Sequence, residues 1–278
     1  MRRSILMRGL IALAVTATLP SIESRAETRR QTACTALNFC YCINPDNVQA
    51  VSGNVQRVRK LMAEQRALGK SIVYLSIPLS TVGGSYFGVN KETAKATRER
   101  IEARFGASAV WVLDPAVEGS KPDGSSLFGE ATGADYMYMW TQVLQGEQGL
   151  GEDFDFIYFT GPSDYAAVLK LTGQGDLEAL DRYFDDRVTK DPSLQDAVTK
   201  GRISKAAFRN YYGVAPSVAF SLGSHDEWNI VRTLNERRRN ATALGIPRQL
   251  PVLFDGRSIT PGDYETRIEP GDVARCIN

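Results

Sequence analysis

The segment from Ser221 to Glu227 carries the residues of this chain that are best suited to act on a ligand. It follows an apolar run typical of a strand and opens a stretch with helical spacing. Backbone N–H groups and the dipole at a helix start favour a bound anion. Ser221 can add a hydroxyl donor, and Gly223 permits a close approach of the backbone. Taken alone, the segment is explained more simply by a serine N-cap followed by acidic residues of the first turn.

Several common enzyme classes lack the residues they need in this sequence. His225 is the single histidine, so a serine or cysteine hydrolase would depend on it as the base. No serine lies in a G-x-S-x-G elbow, there is no phosphate-binding P-loop, and Gly83-Gly84 does not form a dinucleotide fingerprint. Cys40-Tyr41-Cys42 lacks the two-residue spacer of common zinc sites. We therefore expect neither a metal nor a cofactor.

The four cysteines favour disulfide bonds. They are Cys34, Cys40, Cys42 and Cys276. An even number fits an oxidising compartment, and we expect two bonds, one of them joining the two ends of the mature chain. The pairing stays open at this point because four cysteines allow three combinations.

The first 26 residues have the pattern of a signal peptide. Arginines precede the apolar stretch 10–19, and Ser24-Arg25-Ala26 fits a cleavage site after Ala26. The apolar stretch is too short to span a bilayer. Removing residues 1–26 changes the formal net charge from +1 to −2, because four arginines and Glu23 leave together. We expect an exported protein, periplasmic or secreted, with no nucleic-acid partner and no membrane span after cleavage.

Strands and helices alternate along the mature chain. Apolar runs predict strands at 71–79, 109–113, 153–160 and 250–254, with a weaker one at 214–220. Helical spacing is found at 51–69, 90–105, 135–144 and 224–244. This alternation predicts a three-layer α/β domain of the flavodoxin-like kind, with a mostly parallel sheet and helices on both faces.

The expected domain organisation follows from these elements. We predict a signal peptide at 1–26, then a Cys-containing N-terminal segment and helix at 27–70, irregular up to residue 50. The α/β domain occupies 71–278 and contains a mainly helical insertion at about 164–217. Ligands of such folds bind beyond the carboxyl ends of the strands, so the loops that follow the strands matter most.

Short motifs follow one another in a recognisable order over residues 72–254. They are VYLSIP at 73–78 with Gly83-Gly84, VLDP at 112–115, DYM at 135–137, DFIY at 155–158, the turn from Ser221 to Glu227, and GIP at 245–247 ahead of PVL at 251–253. Their order resembles the nucleoside 2-deoxyribosyltransferase-like superfamily, which includes deoxynucleoside 5′-monophosphate N-glycosidases. The chain departs from that pattern in the insertion at 164–217 and in Trp228, where the family usually has a small residue or leucine.

The resemblance implies a deoxyribosyltransferase-like fold and chemistry on the N-glycosidic bond of a nucleoside or nucleotide. Glu227 would attack the anomeric carbon, and the glycosyl group would then pass to water or to another base. The catalytic proton donor would be Asp114, Asp135 or Asp155, with Asp135 preferred. Ser221 would help to hold a 5′-phosphate, as in the monophosphate-hydrolysing branch. The implied substrate-binding residues are Ser221, Gly223, Ser224, Tyr74, Gly83, Gly84 and Asp155.

Two other functions stay open on the sequence alone. One is a non-catalytic exported α/β protein that binds a small anionic ligand at the start of the helix near Ser221. The other is a glycohydrolase directed at NAD that uses the same glutamate. Binding without catalysis predicts that Glu227→Gln leaves affinity intact, whereas catalysis predicts that it abolishes turnover.

Overall fold

The computed structural model of the chain describes residues 30–79, 82–121, 125–214, 221–241, 245–260 and 276. The predicted signal peptide and residues 215–220 of the weaker predicted strand lie outside the described residues. Within the described ranges, none of the helices has the length and apolar character needed to cross a membrane.

The described part begins with an antiparallel hairpin of β1 (Gln31–Cys34) and β2 (Cys40–Ile43). Cys34 lies directly opposite Cys40, and the two form a disulfide bond. A second bond joins Cys42 to Cys276. The expectation of two disulfides, one of them joining distant ends of the chain, is confirmed. The prediction of irregular structure up to residue 50 is wrong, because strand pairing orders this segment.

Five further strands form the central sheet. They are β3 (Ser71–Ser76), β4 (Val110–Leu113), β5 (Phe156–Phe159), β6 (Val252–Phe254) and β7 (Arg257–Ile259). Their order is β4-β3-β5-β6-β7, with parallel pairing up to β6 and an antiparallel β6–β7 hairpin. Counted from β3, this is the 2-1-3-4-5 order of flavodoxin-like folds, with the last strand reversed.

Helices cover both faces of this sheet, which confirms the predicted three-layer α/β class. They are α1 (Val48–Ala67), α2 (Phe87–Phe105), α3 (Pro115–Glu118), α4 (Gly133–Gln145), α5 (Pro162–Leu169), α6 (Asp176–Lys190), α7 (Pro192–Thr199), α8 (Lys205–Val214) and α9 (Leu222–Asn240).

Alternate residues of β3 enter two separate hydrophobic clusters, because successive side chains of a strand point to opposite faces. Ile72 and Tyr74 pack with residues of α1, α4 and α9. Val73 and Leu75 pack with residues of α2 and of the helices α5 to α8. The predicted insertion therefore forms much of the cover of the second face.

The topological switch point of the sheet lies at the carboxyl ends of β3 and β5. The chain runs from β3 to β4 on one side and returns to β5 on the other. Thr160, just after β5, donates hydrogen bonds from its backbone N and its Oγ1 to the Ser76 carbonyl at 3.0 and 3.1 Å. Ligands of open α/β sheets bind in the crevice at such a point.

Candidate functional site

The helix α9 brings Glu227 to the carboxyl end of β3. The helix starts at Leu222, and the Ser221 side chain accepts a hydrogen bond from the Ser224 backbone N at 3.4 Å. Ser221 is therefore the N-cap. Neither Asp226 nor Glu227 lies in the first turn of α9, so the simpler explanation of the segment accounts for Ser221 and leaves Glu227 unexplained.

Both carboxylate oxygens of Glu227 accept hydrogen bonds from β3. Tyr74 donates its hydroxyl to Oε1 and Ser76 donates its hydroxyl to Oε2, each at 2.5 Å. Tyr74 and Ser76 are two positions apart on one strand, so their side chains lie on the same face of the sheet. Glu227 itself is 6% exposed. Its carboxylate is thus fixed in position and orientation.

Burial sets the protonation of this site. Burial raises the pKa of Glu227 to about 7, although the hydrogen bonds from Ser76 and Tyr74 lower it. Burial, together with the charge of Glu227, raises the pKa of Tyr74 well above its usual range, so the phenol remains a donor. A glutamate with a pKa near neutrality is a stronger base and nucleophile than an exposed one.

Tyr74 is fully buried and serves to hold Glu227. Its ring has edge contacts with Trp140 and Phe154, at centroid distances of 6.1 and 5.7 Å. A ring enclosed in this way presents no open face to a ligand. The structure therefore gives Tyr74 a positioning role in place of the substrate-binding role implied by the resemblance.

Asp135, the preferred proton donor, is committed to a structural cap. Its Oδ1 accepts a hydrogen bond from the Asn44 backbone N at 2.9 Å, and its Oδ2 accepts two from Thr132 at 2.8 and 2.9 Å. These bonds close the start of α4 and tie it to the segment that follows the hairpin. A carboxylate with both oxygens accepting has no proton to give, so the structure does not support Asp135 as the acid.

Asp155 lies at the wrong end of the sheet to touch a ligand at Glu227. It precedes β5, and its Oδ2 accepts hydrogen bonds from the Ile72 backbone N at 2.7 Å and from Arg66 at 2.9 Å. Ile72 is four residues before Ser76 on β3, which separates the two by about 13 Å along the strand. Asp155 stabilises the amino edge of the sheet.

Asp114 lies at the correct edge of the sheet, just after β4. Its Oδ1 caps α3 by accepting from the Ala116 backbone N at 2.9 Å. Its Oδ2 is buried and has no hydrogen-bond partner among the described residues. Burial raises the pKa of Asp114, while the charges of Arg98 and Lys91 lower it. Both cations belong to α2, while the charge of Asp114 also raises the pKa of Tyr74, the residue that holds Glu227.

The two glycines after β3 differ in accessibility. Gly84 has a φ of 101°, and a Cβ placed on it would overlap the Ala207 carbonyl oxygen. The backbone of α8 therefore covers Gly84, which leaves no room there for a substrate. Gly83 is exposed, with a φ of 72° and open space around it.

Ser224 and Gly223 lie beside Glu227. Ser224 is three residues before Glu227, which places both on one face of α9. The Ser224 hydroxyl oxygen is buried and has no hydrogen-bond partner within the described part of the chain. A Cβ placed on Gly223 would meet the Met137 sulfur at 3.4 Å, so the DYM segment of α4 packs beside the start of α9.

Three residues near Glu227 were missed in the sequence. Ser76 could have been found, because it follows Tyr74 by two positions on a predicted strand. Asp226 is half-buried, and burial raises its pKa to about 6. Tyr41 of β2 is 2% exposed and shares a hydrogen bond of 2.8 Å with Thr141. Burial raises the pKa of Tyr41, and the charges of Asp226 and Glu227 raise it further.

A cavity of about 460 Å³ lies elsewhere, between the start of α2 and α7. Its lining includes Tyr86, Arg202 and Ile203 and none of the residues that hold Glu227. We place the candidate site at Glu227, because the buried titratable groups converge there. Among the described residues, no group of three or more His, Cys, Asp or Glu side chains could hold a metal ion.

Comparison with known proteins gives no relative for this site. The chain matches no protein-family model, no curated protein and no solved structure.

Proposed function

We propose that this protein cleaves or transfers the N-glycosidic bond of a nucleoside or nucleotide, with Glu227 as the nucleophile. The observation that carries the proposal is the buried Glu227 carboxylate, held by Tyr74 and Ser76 at the carboxyl end of β3. This end of the strand is part of the crevice in which open α/β sheets bind ligands.

The hydrogen bonds to Glu227 fit a nucleophilic carboxylate. In the first step a Glu227 oxygen bonds to the anomeric carbon, and the bond from that carbon to the base nitrogen breaks. In the second step water, or another base, attacks the same carbon and releases the carboxylate. Two hydroxyl donors that fix both oxygens reduce the loss of orientational freedom on reaching the transition state.

The start of α9 supports a phosphorylated substrate. The Ser224 hydroxyl, buried and without a partner among the described residues, can donate to an anionic oxygen. The backbone N–H groups and the dipole of α9 favour the same charge. Because Ser221 already caps Ser224, we assign the phosphate contact to Ser224 and to the helix start rather than to the Ser221 side chain.

We also propose that the protein is exported, to the periplasm or out of the cell. Both disulfide bonds fit an oxidising compartment, since such bonds persist there and are rare in the cytosol. The basic and apolar N-terminal segment gives the route.

The direct test is release of free base, measured by chromatography. Deoxynucleoside monophosphates, nucleosides and NAD are each incubated with the wild type, with Glu227→Gln and with Glu236→Gln. Glu236 is an exposed glutamate of the same helix, so it controls for the chemical change. We expect the wild type and Glu236→Gln to release base and Glu227→Gln to lose more than about a thousandfold in rate.

The same experiment separates the alternative functions. Release of nicotinamide from NAD alone would redirect the proposal to an NAD glycohydrolase with the same nucleophile. If folded wild type releases base from no substrate but binds a nucleotide in equilibrium dialysis, and Glu227→Gln binds it equally, the protein is a binding protein and the enzymatic proposal fails.

A further inference from the structure

The reaction proposed for Glu227 needs a second group that gives a proton to the leaving base. Protonation matters because a purine or pyrimidine anion is a poor leaving group. Asp135 and Asp155 use their carboxylates to bind backbone N–H groups. The donor must therefore be sought among groups beside Glu227 that the fold leaves uncommitted.

Asp226 is such a group. It immediately precedes Glu227 in the second turn of α9 and is half-buried. Within the described part of the chain, it accepts no hydrogen bond and forms no ion pair. Asp114, Asp135 and Asp155 all differ from it in this respect, because each of them accepts at least one backbone N–H.

The surroundings of Asp226 are those of the candidate site. The charges of Asp226 and Glu227 both act on Tyr41, and the charge of Asp226 acts on Glu227. Independently, the buried Ser224 hydroxyl has no partner among the described residues and lies one turn before Glu227 on the same face of α9. An uncommitted hydroxyl and an uncommitted carboxyl within one turn of a fixed carboxylate define a place for a polar ligand.

We propose that Asp226 is the acid and base of the Glu227 reaction; this inference rests on the proposed function. In the first step the Asp226 carboxylic acid transfers its proton to the base nitrogen as the bond from that nitrogen to the anomeric carbon breaks. Glu227 forms the ester in the same step. In the second step the Asp226 carboxylate takes a proton from water. The water oxygen bonds to the anomeric carbon, and the Glu227 carboxylate leaves.

The protonation of the pair predicts a narrow pH optimum. Burial raises the pKa of Asp226 to about 6 and that of Glu227 to about 7. The other ionisable groups that act on the pair from described elements are Tyr41 of β2 and Tyr74 of β3, and burial keeps both neutral. Below about pH 6 both carboxyls are protonated and the nucleophile is absent, whereas above about pH 7 both are ionised and the acid is absent. Between these values the pair holds one proton, which lies mostly on Glu227 because its pKa is the higher one. The reactive form, with Asp226 protonated and Glu227 ionised, is therefore a minor form whose share is largest in this interval.

The test compares two leaving groups that differ only in their need for a proton. 2′-Deoxyguanosine 5′-monophosphate requires protonation of its base, whereas its N7-methylated form already carries the positive charge. Asp226→Asn is expected to lose about 10²- to 10⁴-fold in rate on the unmethylated nucleotide and less than about tenfold on the methylated one. Asp226→Glu should recover part of the first loss, because it restores an acid.

The matched control is Asp153→Asn. Asp153 precedes β5, at the amino edge of the sheet, and burial raises its pKa too. The Asp153→Asn variant should release base from both nucleotides at wild-type rates. Thermal unfolding of each variant establishes that it is folded. Asp226→Asn removes no hydrogen bond to a described residue, so we expect it to fold like the wild type.

Equal losses on the two nucleotides in folded Asp226→Asn would overturn the assignment, as would a selective loss in Asp114→Asn instead. In either case a wild type whose activity depends on Glu227 would leave the proposed function intact. A wild type that releases base from no nucleotide would overturn the proposed function, and this inference with it.

Discussion

At the scale of the residue, Glu227 combines deep burial with a charge that the proposed reaction requires. Burial raises its pKa from 4.5 to about 7, so ionisation above that value costs folding free energy. Ser76 and Tyr74 offset part of this cost by donating to the carboxylate. The proposed nucleophilic role of Glu227 requires such a group, which must be ionised in order to react.

Replacing Glu227 by glutamine should stabilise the fold in alkaline solution. The folded-state pKa lies above the unfolded value, so the contribution of the glutamate is fully present below about pH 4.5 and is lost as pH rises through about 7. Glutamine has no such loss. We expect the free energy of unfolding of Glu227→Gln, relative to that of the wild type, to rise by up to about 3 kcal/mol from pH 5 to pH 8.

The measurement is urea unfolding at those two pH values, with Glu236→Gln as the control. Glu236 is exposed on the same helix, and its variant should follow the wild type. An identical change in the free energy of unfolding at pH 5 and pH 8 would show that Glu227 titrates as an ordinary glutamate.

Single-residue patterns predicted part of this site. Glu227 and Ser224 were predicted from a helix start and from a motif order, and the structure places Glu227 against Tyr74 with Ser224 one turn earlier on α9. The role of Asp135 could not be read in the same way. A carboxylate at the third position of a helix is both a plausible acid and an ordinary capping group, and only the positions of Asn44 and Thr132 distinguish these roles.

At the scale of the element, long apolar runs predicted the parallel strands well, because buried strands must be apolar on both faces. The structure begins β3 at Ser71, as predicted, but ends it at Ser76, three residues earlier than predicted, and it shortens β4 by one residue and β5 by four. The short strands β1, β2 and β7 were missed. These strands form because they pair across a hairpin and, for β1 and β2, because disulfide bonds hold them. A local sequence pattern contains no information on such partners.

The turn before α2 provides a test of how the insertion is attached. Gly83 and Gly84 both have positive φ, but only Gly84 lies against the backbone of α8. Replacing Gly83 by alanine should cost about 1 kcal/mol, through backbone strain alone. Replacing Gly84 should cost at least about 2 kcal/mol more, because its Cβ would overlap the Ala207 carbonyl.

Thermal and urea unfolding of the two glycine variants measure this difference. The comparison isolates the contact with α8, since the two variants share the strain of positive φ. Equal losses of stability would mean that α8 shifts at little cost to accommodate the added Cβ, and that the insertion packs weakly against the sheet.

At the scale of the whole molecule, two disulfides close loops of very different length. Cys34 and Cys40 are 6 residues apart, whereas Cys42 and Cys276 are 234 residues apart. A disulfide stabilises the fold by constraining the unfolded chain, and this stabilisation grows with loop length. It is about 2 kcal/mol for the short loop and about 5 kcal/mol for the long one. The long bond also holds residue 276 against β1, where the Cys276 backbone N donates to Thr32 Oγ1 at 3.1 Å.

Removing the long cross-link should therefore destabilise the protein more than removing the short one. We expect the double variant Cys42→Ala and Cys276→Ala to lose about 3 kcal/mol more than Cys34→Ala and Cys40→Ala, measured by urea unfolding without reductant. A larger loss from the short bond would mean that the native hairpin, rather than the constraint of the unfolded chain, dominates.

The spacing of these cysteines also sets an order of events during synthesis. At about 5–20 residues per second, the ribosome needs roughly 10–50 s to reach Cys276 after Cys42. The Cys34–Cys40 bond can form early in that interval, whereas the Cys42 thiol stays unpaired until Cys276 has been synthesised. Cys40 and Cys42 are alternate residues of β2 and project to one side. Once the Cys34–Cys40 bond has formed, the free Cys42 thiol lies next to it, so correct maturation depends on suppressing thiol exchange between them.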